Sequence, residues 1–182
     1  EAFELTFKYR NPVIIAADGY LGQITGRVTL PEQMIDPGLP DWAVWGDEAH
    51  RGNLNSSILQ DWGELEKHNE HISAKYRQMQ ATEQRSKGFY LDGAKTLVIA
   101  CNTPARMSKA AVERLRREGR PAGLFQPITL WPFPIDALMP LLKSAQRIVV
   151  VEASDGQLED ELRLALQYAK AGDVEIHHLR HM

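Results

Sequence analysis

The chain has 182 residues, 43% hydrophobic and 25% charged, the balance of a globular protein with a core rather than a disordered or fibrous one. Its 21 Lys+Arg against 24 Asp+Glu leave a net charge of −3, so no global basic field draws it to a phosphate backbone and nucleic acid is not an expected partner. One cysteine makes neither an intrachain disulfide nor a multi-thiolate site, which excludes an iron–sulfur cluster or Cys-rich zinc held by this chain alone and suits a reducing, cytoplasmic setting.

The longest apolar runs, Val13 to Ala17 and Ile148 to Val151, are too short to cross a bilayer, and Glu1-Ala2-Phe3-Glu4 lacks the order of a signal peptide, so no membrane partner is expected. The text opens without methionine inside an apolar pattern that no N-cap precedes, as in a piece of a longer protein. Apolar positions 2, 3, 5, 7 and 9 fit the last turns of a helix, with alternation leaving a strand open, and Asn11-Pro12 ends the element. Pro12 to Ala17 is a short β-branched run, predicted as a strand covered on both faces of a parallel sheet, delivering Asp18-Gly19 at its carboxyl end. Residues 27 to about 64 carry Pro31, Pro37, Gly38, Pro40, Gly46, Gly52 and Gly63 without sustained periodicity, which predicts an ordered loop. Trp42, Trp45 and Trp62 are expected to lie over an apolar surface. From about Glu64 to Lys87, Leu65, Ile72, Tyr76 and Met79 recur at helical turns in a polar background, predicting an exposed helix that bridges two domains.

The remainder alternates buried strands and amphipathic helices. Strands are predicted at Thr96 to Ala100, Ala122 to Phe125, Ile148 to Glu152 and Val174 to His178. Helices are predicted at Pro104 to Glu118 with Gly119 as the stop, at Ile135 to Ser144, and at Asp155 to Tyr168. Such alternation predicts an α/β fold, a three-layer α/β/α arrangement with a mostly parallel sheet.

Candidate chemistry gathers at the strand ends. Cys101-Asn102-Thr103-Pro104-Ala105-Arg106 joins a strand to a helix N-terminus, where free N–H groups and the helix dipole favour an anion; Thr103 would be the N-cap and Arg106 an added charge. Ordinary capping by Asn102 and Thr103 is the commoner outcome for such a turn. Cys101 beside that helix start is a conceivable nucleophile, outweighed by the role of a small buried hydrophobe. His68 and His71, and His177, His178 and His181, are expected to be solvated surface groups and not metal ligands. Asp18-Gly19-Tyr20-Leu21-Gly22-Gln23 puts a carboxylate and two glycines where open α/β sheets bind ligands, without the spacing of a nucleotide loop. In Pro127 to Pro134 the prolines fix the path, and Trp131 and Phe133 predict a packed interface, with local core packing as the competing outcome.

Several strings together resemble one family. They are Pro12-Val13-Ile14-Ile15 with Asp18-Gly19-Tyr20-Leu21-Gly22-Gln23, Lys67-His68-Asn69-Glu70-His71, Thr103-Pro104-Ala105-Arg106, Pro127-Ile128-Thr129-Leu130-Trp131-Pro132-Phe133-Pro134, and Val149-Val150-Val151-Glu152 with Gly156-Gln157. In order and spacing they look like the C-terminal part of the alpha subunit of 2-oxoacid:ferredoxin oxidoreductases, of the 2-oxoglutarate and 2-oxoisovalerate type. The sequence departs from that family at Asn102, where glycine is usual, and at Ala153-Ser154-Asp155, where the family string is richer in Asn and Met.

The resemblance implies three segments: residues 1–26 as the C-terminal edge of a thiamine-diphosphate pyrimidine-binding domain, 27–92 as an extended loop and linker helix, and 93–182 as a transketolase C-terminal-like domain. It implies oxidative decarboxylation of a 2-oxoacid with coenzyme A to acyl-CoA, CO2 and reduced ferredoxin. Thiamine diphosphate and iron–sulfur clusters would belong to the whole complex, with none bound by this segment alone, and the partners would be a thiamine-binding beta subunit, an iron–sulfur subunit and ferredoxin in a cytoplasmic oligomer. No catalytic residue and no metal ligand carries over. The residues expected to face substrate or coenzyme are Asp18, Gly19, Gln23, Asn102, Thr103, Arg106, Ser154 and Gln157, with Trp131 and Phe133 at an interface. The competing hypotheses are a noncatalytic anion-binding or subunit-assembly α/β module and, below it, a thiol enzyme using Cys101.

Overall fold

The computed structural model describes residues 1–30, 32–33, 38–54, 56 and 58–180; Pro31, Pro37 and His181 lie outside them. The chain divides into two compact units, Glu1–Ile24 with Lys75–Met182, and Thr25–Ala74.

The larger unit is built on a five-stranded sheet in the order β1-β3-β2-β4-β5. Its strands are β1 (Ser86–Phe89), β2 (Thr96–Ile99), β3 (Ala122–Pro127), β4 (Arg147–Glu152) and β5 (Glu175–Arg180). Only the β1 edge runs antiparallel. Its helices are α1 (Ala2–Tyr9), the end of α2 (Trp62–Thr82), α3 (Asn102–Arg117), α4 (Ile135–Leu142) and α5 (Gln157–Tyr168).

The two-residue period of the central strands sorts the core into two layers. Leu97, Ile99, Phe125, Ile148 and Val150 pack with Leu138 of α4 and Leu158, Leu162 and Leu166 of α5. Val98, Ala100, Ala122 and Leu124 pack with Ala105 and Val112 of α3. Helices therefore cover both faces, and the predicted three-layer α/β/α arrangement is what forms. Gly119, at φ 75, ends α3: its N–H reaches the Arg116 carbonyl at 3.1 Å and the Arg120 N–H reaches Leu115 at 2.9 Å, the paired bonds of a glycine-terminated helix.

α1 ends at Arg10 in the left-handed conformation. A buried carboxylate fastens it to the end of α2: Glu83 Oε1 accepts from Tyr9 Oη at 2.5 Å and from Lys8 Nζ at 2.6 Å. Between them these donors hold the Glu83 carboxyl below the usual range against the opposing effect of burial.

Four expectations are corrected. Pro12 to Ala17 forms no strand, and Ile14 and Ile15 are 89% and 79% exposed; a parallel strand forms only against a neighbour, and among the described residues this run pairs with none. α2 stops at Thr82 and not near Lys87, because Ser86–Phe89 pairs with β3 as an edge strand whose polar, glycine-containing text has no apolar alternation. α3 begins at Asn102, two residues before Pro104, and α5 at Gln157, two after Asp155. Trp45 and Trp62 are 59% and 88% exposed, so most of each ring is uncovered among the described residues, while Trp42 is half-buried.

In the smaller unit turns predominate. The Asn53 amide donates to the carbonyls of Asp41 and Ala43 at 2.6 and 2.9 Å, and Asp47 accepts from the His50 N–H at 2.8 Å, the local bonds by which a segment with little core keeps a path. His68 and His71 on the α2 surface are exposed, as expected.

Candidate functional site

From β2 the chain crosses through α3 to β3 on one side; from β4 it crosses through α5 to β5 on the other. Because α3 and α5 also lie on opposite faces, the loops leaving the adjacent strands β2 and β4 diverge and leave a crevice at the carboxyl end of the sheet, the usual ligand position in open α/β folds. A cleft of about 360 Å³ lies there. Asn102 after β2 and Glu152, Ser154 and Gln157 after β4 line it, with Asp18 and Trp131 at its sides.

Each helix start in this cleft is already matched to a carboxylate of the chain. Asp18 accepts from the Leu21 N–H at 2.8 Å and, across 85 residues, from the Thr103 N–H at 2.9 Å. Those two amides hold its carboxyl below the usual range. Glu152, at 3% exposure, caps α5 in the same way: Oε2 accepts from Ser154 Oγ at 2.5 Å and Leu158 N–H at 3.0 Å, and Oε1 from Glu159 N–H at 3.4 Å. The N–H groups predicted to attract an anion at α3 therefore have one, supplied internally. Thr103 is not the N-cap; Cys101 holds that position, and Thr103 contributes its amide to Asp18.

Asn102 sits at φ 52, and its amide donates to the Ala16 carbonyl at 3.3 Å, so residues 16–18 are laid against the start of α3. Glycine and asparagine are the residues that accept this backbone conformation, which accounts physically for asparagine where the resembled family uses glycine. Gly156, at φ 108, opens α5, and a Cβ there would stand 2.6 Å from the Arg180 guanidinium.

Of the predicted site residues, Asp18, Asn102, Ser154, Gln157 and Trp131 come together at the cleft. Gly19, Gln23 and Arg106 are exposed and line no part of it. Trp131 is half-exposed and meets Tyr76 edge to face, with ring centroids 5.7 Å apart. Phe133 belongs to the core at 5% exposure, beside the α4 and α5 leucines; with its ring consumed by the fold it offers nothing to an interface.

Glu152 and Glu161 are the lining carboxylates that sequence reasoning passed over, although a glutamate ending an apolar strand just before a helix is a legible capping signal. Among the described residues no Lys or Arg lines the cleft. Burial, then Glu152 and Asp18, push the Cys101 thiol up, which removes the thiolate that a cysteine nucleophile needs.

The C-terminal histidines also depart from expectation. His178 is only 20% exposed, with Nδ1 2.6 Å from Glu159, while His177 pairs with Glu175 at 2.8 Å on the surface. Burial would raise the Glu159 carboxyl, but Arg163, at 2.6 Å, together with His178 and Arg180 holds it below the usual range. Glu152, Glu159 and His178 bring ligand-type atoms within 4.8 Å of one another. Arg180, 3.6 Å from Glu159, and the amides on Glu152 already offset the charge of these carboxylates.

Comparison with known proteins gives the same picture. Residues 94–179 match the family model of pyruvate:ferredoxin oxidoreductase core domain II. Over 178 residues the chain is 39% identical to ketoisovalerate oxidoreductase subunit VorB of Methanothermobacter thermautotrophicus, covering 97% of this chain and 49% of that protein. It is 28% identical over 170 residues to 2-oxoglutarate synthase subunit KorA of Archaeoglobus fulgidus, covering 89% and 47%. The chain thus spans about half the length of the curated relatives it matches. The 2-oxoglutarate:ferredoxin oxidoreductase from Magnetococcus marinus, solved with 2-oxoglutarate, coenzyme A and succinyl-CoA bound, shares the fold at a TM-score of 0.56 and 17% identity, over 68% of this chain and 21% of that one.

Proposed function

We propose, from the premise that this chain is a homologue of the VorB and KorA alpha subunits of 2-oxoacid:ferredoxin oxidoreductases, that it is part of such a subunit and serves the oxidative decarboxylation of a 2-oxoacid with coenzyme A to acyl-CoA, CO2 and reduced ferredoxin. The observation that carries this is the 39% identity sustained across 97% of the chain. Its excess over the 28% shared with the KorA protein favours 2-oxoisovalerate over 2-oxoglutarate as substrate.

On this reading the segment is inactive alone. It works in the cytoplasm beside a thiamine-binding subunit and an iron–sulfur subunit that reduces ferredoxin. Residues 1–26 are the edge of the pyrimidine-binding domain, a role supported by the extended, unpaired and exposed run at 12–17, and 27–92 link it to the domain at 93–182.

Thiamine diphosphate itself does not fit the residues present: both helix starts at the cleft carry carboxylates that would repel its phosphates. No thiamine chemistry is routed through them. What these residues do is position loops. Asp18 and Glu152 fix the starts of α3 and α5, and the wall formed by Ala16, Ala17, Leu130, Trp131 and Leu158 suits an uncharged part of a substrate or coenzyme, with Asn102, Ser154 and Gln157 as its polar contacts.

The test is reconstitution of the full-length subunit with its partners, following viologen reduction driven by 2-oxoisovalerate and by 2-oxoglutarate. Reduction with coenzyme A and faster turnover of 2-oxoisovalerate are expected. Failure with every 2-oxoacid in an assembled, cluster-loaded complex overturns the function, and a preference for 2-oxoglutarate overturns the substrate.

A further inference from the structure

At the opposite, amino end of the sheet the chain carries a second groove of about 500 Å³, lined by Lys95, Arg120, Gln146, Arg147 and His177 over an apolar floor that includes Leu115 and Val149. We propose that this groove is a binding site for a compact, multiply charged phosphate compound with an organic body.

The three cations are brought together by the sheet. The Lys95 N–H donates to the Pro121 carbonyl at 2.7 Å, and the Gln146 N–H donates to the Lys95 carbonyl at 2.8 Å. Arg120, Lys95 and Arg147 therefore start on three directly bonded neighbouring segments, within about two strand spacings, roughly 10 Å.

Nearby basic groups are committed elsewhere. Arg116 binds the carbonyls of Ala122, Tyr90 and Asp92, Arg114 pairs with Glu118 at 3.8 Å, and His177 pairs with Glu175 at 2.8 Å. The side chains of Lys95, Arg120 and Arg147 make no hydrogen bond or ion pair among the described residues, and no Asp or Glu among them lines the groove. Three exposed cations lining one groove give it a local positive field in a chain of net charge −3, and that field favours an anion there. Guanidinium forks and an ammonium match phosphate oxygens. The volume lies within the roughly 300–1,000 Å³ of small-molecule sites, and the concave shape favours a compact ligand over an extended acidic chain.

The experiment acylates the lysines of the full chain with an amine-reactive reagent and reads each site by mass spectrometry. Tripolyphosphate at about 1 mM in about 0.15 M salt is expected to slow Lys95 labelling at least about three-fold. Lys87, an exposed lysine on β1, is the internal control and should be unaffected. ADP should protect Lys95 more strongly than tripolyphosphate because its organic body meets the apolar floor. The double variant Arg120→Gln, Arg147→Gln should lose protection of Lys95, measured against the variant's own unligated Lys95 rate, while its Lys87 rate stays unchanged. Equal protection of both lysines, no protection of Lys95, equal protection by an oligoglutamate peptide, or protection that survives in the double variant overturns the site.

Discussion

The two ends of this sheet use charge in opposite ways. At the carboxyl end, Asp18 and Glu152 sit at helix starts and spend their oxygens on backbone amides, so the carboxylates are structural before they are anything else. At the amino end, Lys95, Arg120 and Arg147 are exposed and their side chains hold no partner among the described residues. A charge committed to buried hydrogen bonds is costly to remove, whereas a solvated charge is nearly free to remove and remains available to a ligand.

The sharpest way to break this contrast is Glu152→Ala, which strands the Leu158 and Glu159 amides at the buried start of α5 and leaves the Ser154 hydroxyl without its acceptor. A loss of about 2–3 kcal/mol in urea unfolding is expected. A variant as stable as the parent would mean that water replaces the cap. Asp18→Asn should cost less, because Asp18 is partly exposed. Its contribution has a definite sign with pH. The folded carboxyl lies below its unfolded value of about 3.9, so the stabilisation is present above that pH and is lost as pH falls through the folded value. The gap between parent and Asp18→Asn stability should therefore stay constant at neutral pH and close on acidification; a gap that widens in acid contradicts the assignment.

Cys101 between these carboxylates offers a kinetic comparison. Iodoacetamide should alkylate it more slowly than a free thiol at about pH 8, and faster alkylation would restore the nucleophile that burial removes. Smallest of all, Arg120→Gln with Arg147→Gln should leave the unligated chain within about 0.5 kcal/mol of the parent. A larger loss in thermal unfolding would show those cations to be structural after all.

Much of the fold was legible because its elements announce themselves locally. Leu97 to Ala100 and Ile148 to Val151 are unbroken apolar runs that only a sheet covered on both faces buries, and Gly119 marks the end of α3 by the backbone conformation it alone accepts cheaply. The site is half legible: the strand-end turns at Asn102 and Ser154 show in the sequence, and so does capping as the commoner fate of the α3 start, but not the group that does the capping. A helix N-terminus attracts an anion in general, and nothing local to residues 101–106 shows that Asp18 supplies it from 85 residues away. Ser86–Phe89 was illegible for a related reason: its place in the sheet comes from pairing with β3, not from its own text.

Amphipathic spacing, turn residues and the proline–tryptophan string are properties of neighbours along the chain. By itself the sequence determined the strand–helix alternation, the three-layer architecture and the family resemblance. Only the tertiary structure decided which of two aromatic residues, Trp131 or Phe133, keeps a free surface, which carboxylates cap which helices, and that three cations distant in sequence share one groove. Those outcomes depend on which groups desolvate together, and that is settled when the sheet closes, because burial and hydrogen bonding act through space and not along the chain.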